Sequence, residues 1–248
     1  MILEIDIGNS RLKWRRLANN SNKVISRGGN IDIQSFIAEQ ASCERPSSVR
    51  LSNVADRKTS STIANWTRVN WSIQPVEAIV CAEYSGVKIQ YEDVSRLGVD
   101  RWLAMLAAYD KSHGSCVVID SGTAFTLDVI NEEGLHLGGF ILPGLRLMRE
   151  SLVSQTGIRL ENHDLKPTLE LGNSTQDAVF NGGVASLVAL AEKEIEGQTE
   201  KGLTPNVFIT GGDASFLANL LTYPKLRIEE DLVLDGLSLG YRGMSDSD

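Results

Sequence analysis

The sequence predicts an α/β protein made of two related halves, and three observations carry that expectation. The run Val117-Val118-Ile119-Asp120-Ser121-Gly122-Thr123-Ala124-Phe125-Thr126-Leu127-Asp128 reads as a strand buried on both faces. It ends in a carboxylate and a glycine turn, from which a second strand leaves. The same order of strand, Asp, any residue, Gly and polar residue opens the chain as Ile2-Leu3-Glu4-Ile5-Asp6-Ile7-Gly8-Asn9-Ser10, so Asp6 and Asp120 stand 114 residues apart in equivalent places. Finally, 248 residues that are 42% hydrophobic suffice to bury a core in each half. Two such halves facing each other would offer two carboxylates and two sets of backbone N–H groups to one central cleft, which suits a polyphosphate.

Taken in order, the first strand passes through Gly8 into Leu12-Lys13-Trp14-Arg15, a strand that carries Arg11 and Lys13 on one face if it is regular. Those cations fit either a phosphate or a solvated edge. A helix near Ile33 to Gln40, a strand from Ser48 to Asn53, a helix from Thr59 to Trp66 and a strand from Trp71 to Val76 follow as scaffold. Gly98 then breaks the chain before an amphipathic helix, in which Val99, Trp102, Leu103, Leu106 and Ala107 recur at helical spacing. Asp100 and Arg101 fall in its first turn. A carboxylate there complements the helix dipole whether or not it does chemistry, and the dipole favours the ionised form that a general base requires.

The second Asp-x-Gly turn comes next, with Thr123 and Thr126 as hydroxyl donors beside it and Asp128 as a turn or edge residue. Gly138 to Gly144 returns a third strand into a Pro-Gly turn, and Leu145 to Leu152 forms a helix with Arg146 and Arg149 on a solvated face. Ser174 is a natural N-cap for a long helix, with Asp177 three residues later as a variant of the capping box. Val207 to Asp213 is a strand ending in Gly211-Gly212, which either admits a flat ligand against the backbone or makes a tight strand-to-helix turn. Asp231 to Tyr241 is the final helix, and Ser245 to Asp248 a frayed tail.

The turns Asp6-Ile7-Gly8-Asn9-Ser10 and Asp120-Ser121-Gly122-Thr123-Ala124, with Gly98-Val99-Asp100-Arg101-Trp102 and Gly138-Gly139-Phe140-Ile141-Leu142-Pro143-Gly144, occur in the order found in type III pantothenate kinases, and the chain resembles that family over nearly its whole length. The resemblance implies two duplicated ribonuclease H-like domains of the actin-like ATPase type, 1–114 and 115–248, flanking the cleft. It implies ATP and pantothenate as substrates, and ATP binding by Asp6, Ile7, Gly8, Asn9, Ser10, Arg11, Leu12, Lys13 and Thr123. Asp100 would be the general base, and Tyr91, Gly98, Val99, Asp100, Arg101 and Thr175 would hold pantothenate. The family also implies Mg²⁺ near Asp6 through phosphate or water, a monovalent cation, K⁺ or NH₄⁺, at Asp120, and a homodimer in which Thr175 serves the other subunit's site. The family's usual basic residue near Asn173 is missing from this chain.

Composition narrows the alternatives. A formal charge of −8 and a pI near 5.0 disfavour nucleic acid, which calls for clustered Lys and Arg. Cys43, Cys81 and Cys116 form neither a disulfide framework nor a thiolate zinc site, as expected of a cytoplasmic protein. The acidic opening Met1-Ile2-Leu3-Glu4-Ile5-Asp6 is unlike a signal peptide, and no apolar run is long enough to cross a membrane. His113, His136 and His163 are isolated from one another and from any nucleophile pattern. The competing readings are another small-molecule kinase of the same superfamily and a non-enzymatic accessory regulator on the same scaffold. The Gly-x-Asp-Arg helix start argues against the first, and the presence of Asp6, Asp100 and Asp120 against the second.

Overall fold

The computed structural model describes residues 1–19, 21, 23–160 and 166–240. His163, Tyr241 and the stretch from Ser245 to Asp248 lie outside the described residues. The chain forms two compact units, Met1–Asp110 joined by the C-terminal stretch from Asp231, and Lys111–Glu230.

The first unit is built on a five-stranded sheet. In chain order it contains β1 (Ile2–Ile7), β2 (Leu12–Leu17), β3 (Val24–Asn30), α1 (Ile33–Ala41), β4 (Ser48–Asn53), α2 (Arg57–Trp71) and β5 (Val76–Glu77). The sheet order is β3-β2-β1-β4-β5, with β1 antiparallel to β2 and parallel to β4. Strand alternation sends Leu3, Ile5 and Ile7 of β1 into a core with Phe36 of α1 and Ile63 and Trp71 of α2. Each such side chain contributes roughly 1.5–3 kcal/mol on full burial. Asp32 and Asp56 cap the two helices by accepting from the backbone N–H groups of Ser35 at 2.7 Å and Thr59 at 2.8 Å.

One expected strand begins later than its sequence suggests. The chain from Trp71 to Val76 does not continue as a strand from the tryptophan, because α2 runs through Trp71, which is buried, and stops at Ser72 in the left-handed conformation with φ 55°. Only Val76–Glu77 joins the sheet.

After a small hairpin of β6 (Glu83–Tyr84) and β7 (Val87–Lys88), the helix α3 (Val99–Ser112) begins, and the boundary between the units falls near its end. The second unit repeats the plan. It contains β8 (Cys116–Ser121), β9 (Ala124–Ile130), β10 (His136–Pro143), α4 (Leu145–Gln155), α5 (Thr175–Glu200), β11 (Asn206–Thr210), α6 (Ala214–Leu220) and β12 (Leu226–Ile228). Its sheet order, β10-β9-β8-β11-β12, with two antiparallel and two parallel pairings, reproduces that of the first unit strand for strand. The core gathers Val117 and Ile119 of β8, Phe125 and Leu127 of β9, Val184, Leu187 and Val188 of α5, and Val207 and Ile209 of β11. Asp128 is not an edge residue, and His136 is its partner. Asp128 is 2% exposed within β9, and His136 Nε2 lies 2.8 Å from its Oδ1 across the pairing of β9 with β10.

The last helix, α7 (Leu232–Gly240), returns to pack on β1 and β4 of the first unit. A division of the chain at 114/115 would assign it to the second half. A buried ion network holds it: Arg15 bonds Glu4 at 2.8 Å, Asp235 at 2.5 Å and the Leu234 carbonyl at 2.7 Å, while Arg50 and the Ser238 hydroxyl reach Glu4 at 2.9 and 2.7 Å. Burial works to lower the Arg15 pKa, but Glu4 and Asp235 outweigh it and raise it. Among the described residues, no helix is long and apolar enough to cross a membrane.

Candidate active site

In the first unit, Asp6 sits at the C-terminal end of β1, the edge at which α/β sheets offer ligand sites. Its register neighbours are Lys13 on β2 and Ser52 on β4, so the three side chains share one sheet face. Beyond Asp6 the backbone closes through a Gly8 N–H to Arg11 carbonyl bond of 3.1 Å, leaving Asn9, Ser10 and Arg11 exposed. Arg11 therefore belongs to the turn and does not share a strand face with Lys13, because β2 begins only at Leu12.

The start of α3 draws together five of the expected substrate residues. The backbone N–H of Arg101 donates to Asp100 Oδ1 at 2.7 Å, so the carboxylate folds back over the start of its own helix. A Cβ on Gly98 would lie 2.6 Å from that oxygen, so a side chain there would push the carboxylate out of this position. Arg101, only 7% exposed, donates from its guanidinium to the Tyr91 hydroxyl at 3.3 Å. Val99 is the first residue of the helix.

In the second unit, Asp120 occupies the matching place on β8, between Thr126 on β9 and Thr210 on β11. Its turn is one residue tighter than the first, since Asp120 pairs with the sixth residue after it and Asp6 with the seventh. Gly122 donates to the Ala124 carbonyl at 3.0 Å, and the Thr123 carbonyl accepts from Gly144 at 3.0 Å, which fixes the turn from outside. The double glycine resolves into a packing requirement beside Asp120. Gly211 has φ +96°, and a Cβ there would come within 2.3 Å of the Ser121 carbonyl and 2.5 Å of Asp120 Oδ1. The following residue pair brings Asp213 N–H to the Ser121 carbonyl at 2.9 Å, while burial pushes the Asp213 carboxyl pKa up.

Thr175 is the exposed first residue of α5, directly after its cap Ser174, whose hydroxyl accepts from the Asp177 N–H at 3.1 Å. It lines an apolar groove of about 530 Å³ with Met148, Leu152, Ile158 and Val179, apart from the turn that holds Asp120 and Thr123. None of the eleven residues of α4 is buried.

The donor set bears on which metals fit. Among the described residues, no three His, Cys, Asp or Glu side chains converge as a metal cage. A lone carboxylate such as Asp6 fits a magnesium-type ion that takes its other ligands from water and phosphate oxygens.

The type III pantothenate kinase family model matches residues 2–197. A relative named type III pantothenate kinase from Pseudomonas savastanoi pv. phaseolicola is 39% identical over 247 residues, covering 96% of this chain and 98% of the relative. Its namesake from Pseudomonas fluorescens is 37% identical with the same coverage. Among solved structures, one named as a Baf family transcriptional activator from Campylobacter jejuni matches with TM-score 0.61 at 23% identity, over 98% of this chain and 99% of that one. Another, named as a 2-dehydro-3-deoxygalactonokinase from Sinorhizobium meliloti, matches with TM-score 0.58 at 13% identity, over 99% and 100%. At such identities these two show the fold alone, an α/β architecture of two like-built units. Full-length likeness to relatives of one name, together with the match over residues 2–197, shows that this chain belongs to the type III pantothenate kinase family.

Proposed function

We propose that this chain transfers the γ-phosphoryl group of ATP to the primary alcohol of pantothenate, giving 4′-phosphopantothenate and ADP, the first step towards coenzyme A. The observation that carries the reading is the start of α3, where a carboxylate, a buried guanidinium and a phenol converge. Asp100 accepts the alcohol proton as its oxygen attacks phosphorus, and the bond from the γ-phosphorus to the bridging oxygen breaks to release ADP. Arg101 anchors the substrate carboxylate by charge-assisted hydrogen bonds, with Tyr91, Gly98 and Val99 completing the pantothenate contacts.

The turn from Asp6 through Ile7, Gly8, Asn9, Ser10, Arg11 and Leu12 to Lys13 binds the ATP phosphates, and Thr123 adds a hydroxyl. Mg²⁺ near Asp6 and K⁺ or NH₄⁺ at Asp120 would supply neutralisation of the phosphoryl charge. The family supports ATP-dependent phosphoryl transfer with a divalent metal; the choice of ions is our reading. We further read the protein as a cytoplasmic homodimer. Support comes from the unburied helix α4 and the apolar groove beside it, at whose edge Thr175 is exposed and available to a neighbouring subunit. An accessory regulator is the less favoured reading, because relatives at 35–39% identity are named as kinases.

The test is an assay of the purified protein with ATP, Mg²⁺ and a panel of alcohols, with and without K⁺, run beside Asp100→Asn. That variant is isosteric and keeps its helix start, so it should fold and bind pantothenate while turnover falls by at least ~10². Near wild-type turnover would reduce Asp100 to a helix-start residue.

A further inference from the structure

Two successive rows of side chains cross the same face of the first sheet. In one, Glu4 on β1 has Arg15 and Arg50 as its register neighbours, and both are ion-paired to it. In the next, Asp6 has Lys13 on the one side and Ser52 on the other. The place taken in the first row by a guanidinium is thus taken in the second by a small hydroxyl.

Ser52 is 0% exposed, and its Oγ has no hydrogen-bond partner among the described residues. A buried hydroxyl without a partner is costly, because it gives up its bonds to water. The equivalent position in the second unit shows that the cost is avoidable. Thr210 neighbours Asp120 in the same register, and its hydroxyl donates to the Glu230 carbonyl at 3.4 Å. Packing alone at Ser52 would be served as well by alanine.

We propose that Ser52 is a positioning residue for Asp6. In neighbouring register on parallel strands the two side chains lie side by side, so rotation about the Ser52 Cα–Cβ bond brings its hydroxyl to the carboxylate. When a divalent cation bound with ATP engages one Asp6 oxygen, directly or through water, the Ser52 hydroxyl donates to the carboxylate and holds its plane towards the ion. Hydroxyls that orient a metal-facing carboxylate in this way strengthen metal binding without touching the metal. This rests on the reading that Asp6 faces the divalent cation of the nucleotide.

The experiment measures Mn²⁺ binding to the protein–ADP complex by electron paramagnetic resonance, with melting temperature and steady-state kinetics alongside. Ser52→Ala should melt at or above the wild-type temperature, since it removes an unsatisfied polar group, yet bind Mn²⁺ about tenfold more weakly. KM for pantothenate should stay unchanged. Ser52→Cys, close in shape but a weak donor, should behave like Ser52→Ala, and Ser52→Thr should restore Mn²⁺ binding. Asp6→Asn separates the two levels of the argument. If it weakens Mn²⁺ binding while Ser52→Ala does not, Ser52 is only packing and the inference is overturned. If neither variant changes Mn²⁺ binding in a protein that phosphorylates pantothenate, the cation does not sit at Asp6, and the inference falls with that assignment while the kinase reading stands.

Discussion

Asp213 follows the glycine turn beside Asp120, and burial raises its carboxyl pKa. A group whose folded pKa lies above its unfolded one favours the fold fully only below the unfolded pKa, and that contribution is lost as pH rises through the folded value. Ionised Asp213 is therefore a burden at neutral pH. Asp213→Asn should raise the melting temperature at pH 7, and the gain should fade below about pH 4, where both states bind the proton. A gain independent of pH would place its origin elsewhere. The contrast with Asp6, Asp100 and Asp120 marks what a sequence discloses about single residues. Those three stand out because each ends a strand or starts a helix beside glycine, a local pattern. The pairing of Asp128 with His136 and the seating of Gly211 against Asp120 Oδ1 depend on neighbouring strands, so nothing in their immediate sequence announced them. Ser52 is of the same kind, its meaning set by the register of β1 with β4.

At the scale of elements, α2 shows how local reading goes astray at a boundary. The apolar residues around Trp71 and Ile73 suggest a strand, but the buried Trp71 is the last helical residue, its ring edge-on to Trp66 at 4.4 Å between centroids. What ends the helix is Ser72, exposed and left-handed, with its N–H bonded to the Arg68 carbonyl at 3.0 Å. A side-chain-bearing residue pays about 1–2 kcal/mol in that conformation, whereas glycine loses roughly 0.5–1 kcal/mol of chain entropy on folding. Ser72→Gly should therefore stabilise the protein by about 0.5 kcal/mol in chemical denaturation. A loss of stability would mean that the serine contributes contacts beyond its backbone. The strands around both Asp-x-Gly turns were legible because apolar alternation and turn residues agree there. The extra residue in the first turn was not, since only strand register reveals that Lys13 matches Thr126.

At the scale of the whole molecule, the repeat in sequence and the identical strand orders of the two units are one fact seen twice. The return of α7 to the first unit was hidden, because its anchors Glu4 and Arg15 lie more than 200 residues away in the chain. The least local feature is the proposed composite site. If Thr175 completes the substrate site of a second subunit, a lone subunit is inactive, and a two-fold dimer completes both sites at once. Two dead variants, Asp100→Asn and a bulky replacement of Thr175, can be mixed and allowed to exchange subunits. In the heterodimer one site then combines wild-type Asp100 with wild-type Thr175, and the other carries both lesions. Activity should reappear, up to about half of wild type per heterodimer when sites act independently, as two-fold symmetry requires. Tagging one variant and capturing the mixed dimers would verify that exchange took place. Inactive mixed dimers would mean that Thr175 serves its own subunit or simply starts α5, and the groove beside α4 would then need another occupant.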